Sequence, residues 1–255
     1  MNETQGGKTP IIRIEGLTKS FNGQIVLDGI DLDIFEGETI VILGASGSGK
    51  TVLLNLLAGL LEPDSGSVFI NGEEVTAFTS DSQWDKLRLK LGFLFQGAAL
   101  YDSMTIAENI SFAMEQHLDL ADEKIIEIVR QKLRAVELEG TEEKLPAELS
   151  GGMQKRAALA RAISLDPRII IYDEPTTGLD PILAKNISEL IVRLQRELCV
   201  TSIVVTHDLI CASVIADRLA LLYNGKFLFI GTMEELRSRE DEYIREFLEA
   251  SSLRR

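Results

Sequence analysis

A glycine-rich segment with a lysine and a threonine is well suited to phosphate chemistry. It reads GASGSGKT, at positions 44–51, and is followed by the helical pattern TVLLNLLAGL. Glycines in this pattern allow a tight loop whose backbone N–H groups face phosphates at the positive end of the next helix. Lys50 would reach the β and γ phosphates of a nucleotide, and the Thr51 hydroxyl would bind Mg²⁺. The candidate phosphate-binding residues are Gly44, Ala45, Ser46, Gly47, Ser48, Gly49, Lys50, Thr51 and Val52.

The alternative for this segment is a turn that merely joins a strand to a helix. The full pattern lies between a predicted strand and a predicted helix, and this context favours the phosphate site.

Two adjacent carboxylates form a second candidate centre, in the segment IIIYDEP at positions 169–175. The apolar run predicts a buried strand, so Asp173 and Glu174 fall at its carboxyl end, where ligands bind in α/β proteins. Asp173 is then the natural ligand of a phosphate-bound metal, and Glu174 is left to orient or deprotonate the attacking water. An acidic pair could instead cap the following turn, but the upstream glycine loop favours the catalytic interpretation.

The elements that position these residues predict an α/β fold. Turn signals and short β-branched runs before residue 42 predict an antiparallel opening, and TIVIL predicts a central strand buried on both faces. The later alternation of strand, helix and strand predicts that a mostly parallel sheet resumes after residue 168. LALLYNGKFLFIG predicts a closing hairpin across its Asn-Gly pair.

We expect a single domain over residues 1–255, with a helical subdomain inserted at about residues 100–160. Ile125, Val129, Leu133 and Val136 recur there at helical spacing within a charged background. A charged helical tail follows at about residues 234–255. Its apolar residues are Tyr243, Ile244, Phe247 and Leu248. They would either dock on a second subunit or pack against the chain's own core.

Charge and hydropathy limit the classes of partner. The chain carries a formal net charge of −14 with a pI near 4.7, which argues against nucleic acid as the main partner. No apolar run approaches the roughly 18 residues that a spanning helix needs, and the polar start lacks the apolar stretch of a signal peptide. We therefore expect a cytoplasmic chain whose membrane role, if it has one, comes through a partner.

The segment LSGGMQKR, at positions 149–156, resembles the signature of the nucleotide-binding domains of ABC proteins. From the residues alone, Ser150 would cap a helix, and Gly151 and Gly152 would expose N–H groups and the helix dipole to an anion. The resemblance implies that this anion is the γ-phosphate of ATP held by a second copy of the chain. The implied fold is an ABC-type P-loop NTPase core, and the implied activity is hydrolysis of ATP with Mg²⁺.

Other positions resemble the remaining ABC motifs. Phe21 matches the aromatic residue that stacks on adenine, although a packed hairpin phenylalanine is an alternative. Gln96 matches the Q-loop glutamine, which contacts the metal or the water and couples the core to the helical subdomain. Asp180 in GLDP matches the D-loop aspartate that reaches across the dimer, and His207 matches the switch histidine at the γ-phosphate.

A narrower resemblance concerns LFQGAALYDSMTIAENI and GKTVLLNLLAGLLEPDSG, in which Val52 follows the threonine. Both segments are similar to the ATPases of the Mla and Mce lipid transport systems. This implies an integral-membrane permease, an Mce-type lipid-binding protein, and a location on the inner face of the cytoplasmic membrane. The alternatives are another ABC importer or exporter, or a non-transport ABC ATPase such as that of iron–sulfur cluster assembly. The chain lacks the coiled-coil insertion and second nucleotide domain of ABC ATPases that act on nucleic acid.

Overall fold

The computed structural model describes residues 9–252 and contains two sheets flanked by helices. The strands are β1 Pro10–Phe21, β2 Gln24–Phe35, β3 Thr39–Leu43, β4 Ser65–Ile70, β5 Glu73–Glu74, β6 Leu91–Leu94, β7 Ile169–Asp173, β8 Thr201–Thr206, β9 Arg218–Tyr223 and β10 Lys226–Gly231. The helices are α1 Lys50–Leu57, α2 Asp81–Arg88, α3 Ile106–His117, α4 Asp122–Ala135, α5 Gly151–Ala162, α6 Pro181–Leu198, α7 Leu209–Ile215, α8 Met233–Arg237 and α9 Glu242–Ser252. Within this part of the chain, no helix is both long and apolar enough to cross a bilayer.

The first sheet is antiparallel, with strand order β2-β1-β4-β5. Its leading hairpin turns at Asn22 and Gly23, whose φ angles of 51° and 82° are the positive values that a two-residue turn of type I′ requires. The predicted antiparallel opening is thereby confirmed.

The second sheet has the order β10-β9-β3-β8-β7-β6, and all its pairs are parallel except the closing hairpin of β9 and β10. That hairpin turns at Asn224 and Gly225, as predicted. Because β3, β7 and β8 run in the same direction, their carboxyl ends meet at one edge of the sheet. The glycine-rich loop, the acidic pair and His207 follow these three strands, so the topology brings them together.

The second sheet separates two hydrophobic cores, which explains why its central strands β3, β7 and β8 are buried at every position. In β3, Ile40 and Ile42 pack into the core shared with the first sheet and α1, while Val41 and Leu43 pack against the helices on the other face. In β7, Ile171 and Tyr172 divide between the two cores in the same way. Strands covered on both faces are typically near-continuous apolar runs, as TIVIL is in β3.

Three helices, α3, α4 and α5, lie between β6 and β7 in the chain. Thr105 caps α3 through a capping box with Glu108. The N–H of Ile106 donates to the carbonyl of Lys144 at 2.8 Å, so the start of this helical segment bonds to the stretch that precedes α5.

The last helix, α9, packs on the chain's own core. Ile244 is 2% exposed and belongs to the core on the helical face of the second sheet, with Tyr243, Phe247 and Leu248 packed against the same core. The Tyr243 ring stacks on Tyr223 at a centroid distance of 3.7 Å. Of the two alternatives for these apolar residues, the structure supports self-packing.

Candidate functional site

The glycine-rich loop joins β3 to α1 in a conformation that admits little besides glycine. A Cβ at Gly44 would lie 2.5 Å from Ser48 Oγ and 2.7 Å from the carbonyl oxygen of Leu222. Gly49 caps α1 at a φ of 103°, which lies in the left-handed region that L side chains rarely adopt. Helix α1 begins at Lys50, so its N-terminus faces the loop.

Lys50 lies over this loop and is only 6% exposed. Its Nζ donates to the carbonyl oxygens of Gly44 at 2.9 Å and Ala45 at 3.0 Å, and lies 3.8 Å from Glu174 Oε1. Burial lowers the pKa of Lys50, and the charges of Glu174 and Asp173 oppose that shift. The ammonium group therefore stands in a poorly solvated site between loop carbonyls and two carboxylates, where phosphate oxygens could replace the carbonyls as acceptors.

Asp173 ends β7 as a buried carboxyl group. Burial and the neighbouring charge of Glu174 raise its pKa, while Lys50, a hydrogen bond with Thr51 and the charge of Lys155 lower it. Within the described part of the chain, two buried polar atoms at this edge, Asp173 Oδ1 and Ser48 Oγ, have no hydrogen-bond partner. A carboxylate oxygen with free acceptor capacity beside a threonine hydroxyl is a donor set that suits Mg²⁺ bound mainly through phosphate.

Glu174 follows directly and has a φ of 49°, an unusual left-handed conformation for a non-glycine residue. Its N–H donates to the carbonyl of Val205 at 2.9 Å. Its carboxylate accepts hydrogen bonds from the hydroxyls of Thr177 at 3.0 Å and Thr206 at 3.2 Å, and His207 Nδ1 lies 3.0 Å away. Such backbone strain is typical of active sites, where the surroundings hold a functional side chain in place.

The candidate catalytic side chains line one cavity of about 410 Å³. Nine of the predicted residues share this cavity: Ser46, Gly47, Gly49, Lys50, Thr51, Val52, Gln96, Glu174 and His207. The structure thus brings the loop, the Q-loop glutamine, Glu174 and the histidine to one cavity.

Five predicted positions beyond the glycine-rich loop and the acidic pair also lie outside that lining. Phe21 is 41% exposed, and Lys19 Nζ stands 5.4 Å from the centre of its ring. Ser150 caps α5, and Asp180 caps α6 by accepting from the N–H groups of Ile182 and Leu183. Gly151 and Gly152 form the first turn of α5 beside Ser150.

Two basic residues of α5 contact the backbone of the segment from Gln96 to Ala99, which we call the Q-loop. The sequence patterns assigned these two residues no role. Lys155 Nζ donates to the main-chain oxygen of Gln96. Arg161 donates to the carbonyl oxygens of Ala99 at 2.7 Å and Ala98 at 3.0 Å. The bonded residues are about sixty positions apart in the sequence. The only feature of the sequence that could have indicated these contacts is the presence of Lys155 and Arg161 in a helix that contains several alanines.

A groove of about 510 Å³ runs between β6, α3 and the end of α5. Aromatic and apolar side chains line much of it, including Phe93, Phe95, Tyr101 and Phe112, and Arg161 also lines it. The Arg161 guanidinium lies 5.9 Å from the centre of the Tyr101 ring. Exposed aromatic side chains in a concave surface are typical of a protein-docking site.

A family model described as "ABC transporter" matches residues 27–177. The chain belongs to the ABC transporter family. Membership confirms the ABC-type fold predicted from the sequence, and this member is a nucleotide-binding ATPase.

Similar proteins include transport ATPases of named systems. "Probable ribonucleotide transport ATP-binding protein mkl" of Mycobacterium leprae is 39% identical over 245 residues, covering 95% of this chain and 70% of that protein. "Intermembrane phospholipid transport system ATP-binding protein MlaF" of Haemophilus influenzae is 38% identical over 242 residues, covering 95% of this chain and 91% of that protein. The chain spans about two thirds of the length of the mycobacterial relatives.

The chain is also similar to a solved structure that is a dimer. The ATP-binding cassette MJ0796, in a dimeric post-hydrolysis state bound to ADP and Pi, is similar with a TM-score of 0.80 and 31% sequence identity. The match covers 87% of this chain and 98% of that one.

Proposed function

We propose that this ATPase drives lipid transport, with phospholipid as cargo, through a separate integral-membrane permease. The observation that carries the proposal is the similarity to MlaF, which is named for phospholipid transport and is matched over 91% of its length. The Q-loop segment that resembles the Mla and Mce ATPases supports the same conclusion.

Ribonucleotide transport is the second candidate, because the mycobacterial relatives carry that name at 39% identity. An ATPase of this kind does not itself bind the cargo, so identity over the ATPase alone separates the two candidates poorly. The fuller coverage of MlaF, at 91% against 70%, favours phospholipid.

The functional assembly is a dimer with two ATP molecules at its interface. The dimeric cassette MJ0796 supports this arrangement, and so does the position of Ser150 and Asp180 outside the cavity that holds Lys50 and Glu174. In our proposal, Gly44 to Val52 of one subunit hold the phosphates while Ser150, Gly151 and Gly152 of the other bind the γ-phosphate. Phe21 stacks on the adenine, and Asp180 reaches across the interface.

Hydrolysis then follows from the geometry of the cavity. The Glu174 carboxylate accepts the proton of the attacking water, while Thr177 and Thr206 fix its orientation through their hydroxyls. Lys50 and His207 stabilise the negative charge on the γ-phosphate. Thr51, Gln96 and Asp173 would hold Mg²⁺, which supplies neutralisation of phosphate charge when bound.

The aromatic groove of Phe93, Phe95, Tyr101 and Phe112 is the proposed contact with the permease. It borders the Q-loop through Ala99 and Tyr101, so a permease segment seated there would be close to Gln96. The complex would lie on the inner face of the cytoplasmic membrane and would include an Mce-type lipid-binding protein.

Purification from the native host with the permease, followed by reconstitution into vesicles, tests the proposal. We expect ATP-dependent transfer of labelled phospholipid and none of labelled ribonucleotide, and we expect the complex carrying Glu174→Gln to transfer neither. Transfer of ribonucleotide alone would contradict the phospholipid assignment.

A pair of surface variants tests the docking groove. Phe112→Glu places a charge in the groove and should abolish co-purification with the permease while leaving ATP hydrolysis by the isolated chain intact. Ile126→Glu is the matched control, because Ile126 is also an apolar, exposed helix residue, on α4, but does not line that groove. Equal retention of the permease by both variants would refute the groove assignment.

A further inference from the structure

Helix α5 is connected to the candidate nucleotide sites through two residues, Ser150 and Lys155. At its N-terminus lies Ser150, whose hydroxyl accepts from the N–H of Met153 and which does not line the cavity of its own subunit. One and a half turns later, Lys155 donates to the main-chain oxygen of Gln96, a residue that lines that cavity. The same helix therefore carries Ser150, the candidate γ-phosphate ligand of the partner's ATP, and also bonds to the Q-loop of its own subunit's cavity.

Burial of the Lys155 side chain is unfavourable for folding, which indicates that the residue has a specific role. It is 6% exposed, and burial of an ammonium group costs several kcal/mol unless hydrogen bonds and opposite charges compensate. Burial lowers the pKa of Lys155, and the charges of Asp173 and Glu174 oppose that shift. A buried methionine or leucine would fill the same volume without that cost.

The loop that Lys155 grips is held in an unusual conformation. Ala98 and Ala99 have φ angles of 62° and 51°, both in the left-handed region that favours glycine. Arg161 binds the carbonyl oxygens of these two residues. With Lys155 at Gln96 and Arg161 at the alanines, α5 bonds to three of the four backbone carbonyls from Gln96 to Ala99.

A helix transmits displacement well over this distance. Five residues separate Ser150 from Lys155, which corresponds to about 7.5 Å along the axis at 1.5 Å per residue. A rigid shift of the N-terminus of α5 therefore moves the Lys155 ammonium group and, through its hydrogen bond, the backbone of Gln96.

We propose that Lys155 is a positioning residue that relays occupancy of one ATP site to the other. ATP held by the partner subunit draws Ser150 and the N-terminus of α5 toward its γ-phosphate, and Lys155 carries that movement to Gln96 in its own subunit's cavity. Each site thereby becomes competent for hydrolysis when the opposite site is filled. The inference rests on the two-subunit nucleotide site of the proposed function.

The test measures ATP hydrolysis against ATP concentration for wild type and Lys155→Met in complex with the permease, in which two copies of the chain are held together and dimerisation does not itself produce cooperativity. For two coupled sites we expect a wild-type Hill coefficient approaching ~2, the number of sites, and a coefficient near 1 for the variant. The kcat should fall about 2- to 30-fold, the size seen when coupling residues are altered. ADP binding to the monomer should stay unchanged, because Lys155 is not part of the phosphate loop.

Two further variants separate positioning from a structural role. Lys155→Arg keeps a cationic donor and should restore a Hill coefficient above 1. Lys132→Met removes another buried lysine, which bonds Asp166 on the far side of the helical segment, and should lower the melting temperature while cooperativity stays at the wild-type level.

Three results would overturn the inference. These are wild-type cooperativity in Lys155→Met, an equal loss of cooperativity in Lys132→Met, and non-cooperative hydrolysis by wild type. Only the last would also count against the shared nucleotide site, which ATP-induced dimerisation of Glu174→Gln measures independently.

Discussion

Replacement of Glu174 by glutamine is the change that most directly separates binding of ATP from its hydrolysis. Glutamine keeps the size of the side chain and an oxygen that can accept hydrogen bonds from Thr177 or Thr206, both of which lie within 3.2 Å of the carboxylate. It cannot accept a proton from water. Loss of a general base typically slows the chemical step by about 10²- to 10⁴-fold, equivalent to about 3–5 kcal/mol in the barrier.

The same change removes a negative charge 3.8 Å from Lys50 Nζ. Breaking a buried ion pair outright costs about 3–5 kcal/mol. Lys50 keeps its bonds to the carbonyl oxygens of Gly44 and Ala45 and the nearby charge of Asp173, so we expect the cost to stay below that range. At about 2–4 °C per kcal/mol for a chain of this size, the variant should remain folded at assay temperature.

Unhydrolysed ATP should then stabilise the dimer, because in the proposed dimer each molecule contacts Lys50 and Thr51 of one subunit and Ser150 of the other. Size-exclusion chromatography with ATP and Mg²⁺ should show the Glu174→Gln variant as a dimer and the wild type, without permease, as a monomer. Adding Lys50→Ala to the variant should abolish the dimer. Hydrolysis at the wild-type rate, or a monomer at saturating ATP, would refute the catalytic role of Glu174 or the shared site.

Three further predictions concern other parts of the molecule. Ser150→Arg should leave nucleotide binding to the monomer intact and block hydrolysis, since Ser150 binds the partner's ATP in the proposed dimer; equal loss of monomer binding, measured by titration, would contradict this. Asp173→Asn should abolish hydrolysis yet raise the melting temperature at neutral pH. Burial raises the pKa of Asp173, so its carboxylate form destabilises the fold at pH values above that pKa. The gain in melting temperature from Asp173→Asn should therefore shrink as the pH falls toward 3.8, the ordinary pKa of an aspartate. A gain that grows with acidity would be inconsistent with that cause. Ile244→Ala should destabilise the chain by about 2–5 kcal/mol in urea unfolding, because α9 packs on the core, and an unchanged midpoint would argue against that packing.

Local patterns in the sequence carried much of the architecture. The apolar runs of β3 and β7 identified strands buried on both faces, and the Asn-Gly pairs located both hairpins, because each signal lies within a few neighbouring residues. The candidate site could be anticipated for the same reason. The phosphate loop, the acidic pair and the signature segment are each continuous stretches.

Contacts between distant segments could not be predicted in this way. The bond from Lys155 to Gln96 spans 59 positions, and the left-handed conformation of Ala98 and Ala99 follows no local rule, since alanine normally avoids it. The apolar residues of the tail were also ambiguous, because an amphipathic helix looks the same whether its partner is another subunit or its own core. Only the stacking of Tyr243 on Tyr223 and the burial of Ile244 resolve that question.

The place of β3 in the second sheet has a consequence for the order in which the protein matures during synthesis. Its neighbours are β8 and β9, which begin at Thr201 and Arg218. More than 150 residues must therefore be synthesised after β3 before it can pair with either strand. The first sheet, whose strands all precede residue 75, can assemble on the ribosome much earlier. The phosphate loop is anchored to β3, and a nascent chain should therefore acquire affinity for ATP only when nearly all of it has emerged. Until then the apolar TIVIL segment is an unpaired strand that a chaperone would have reason to cover.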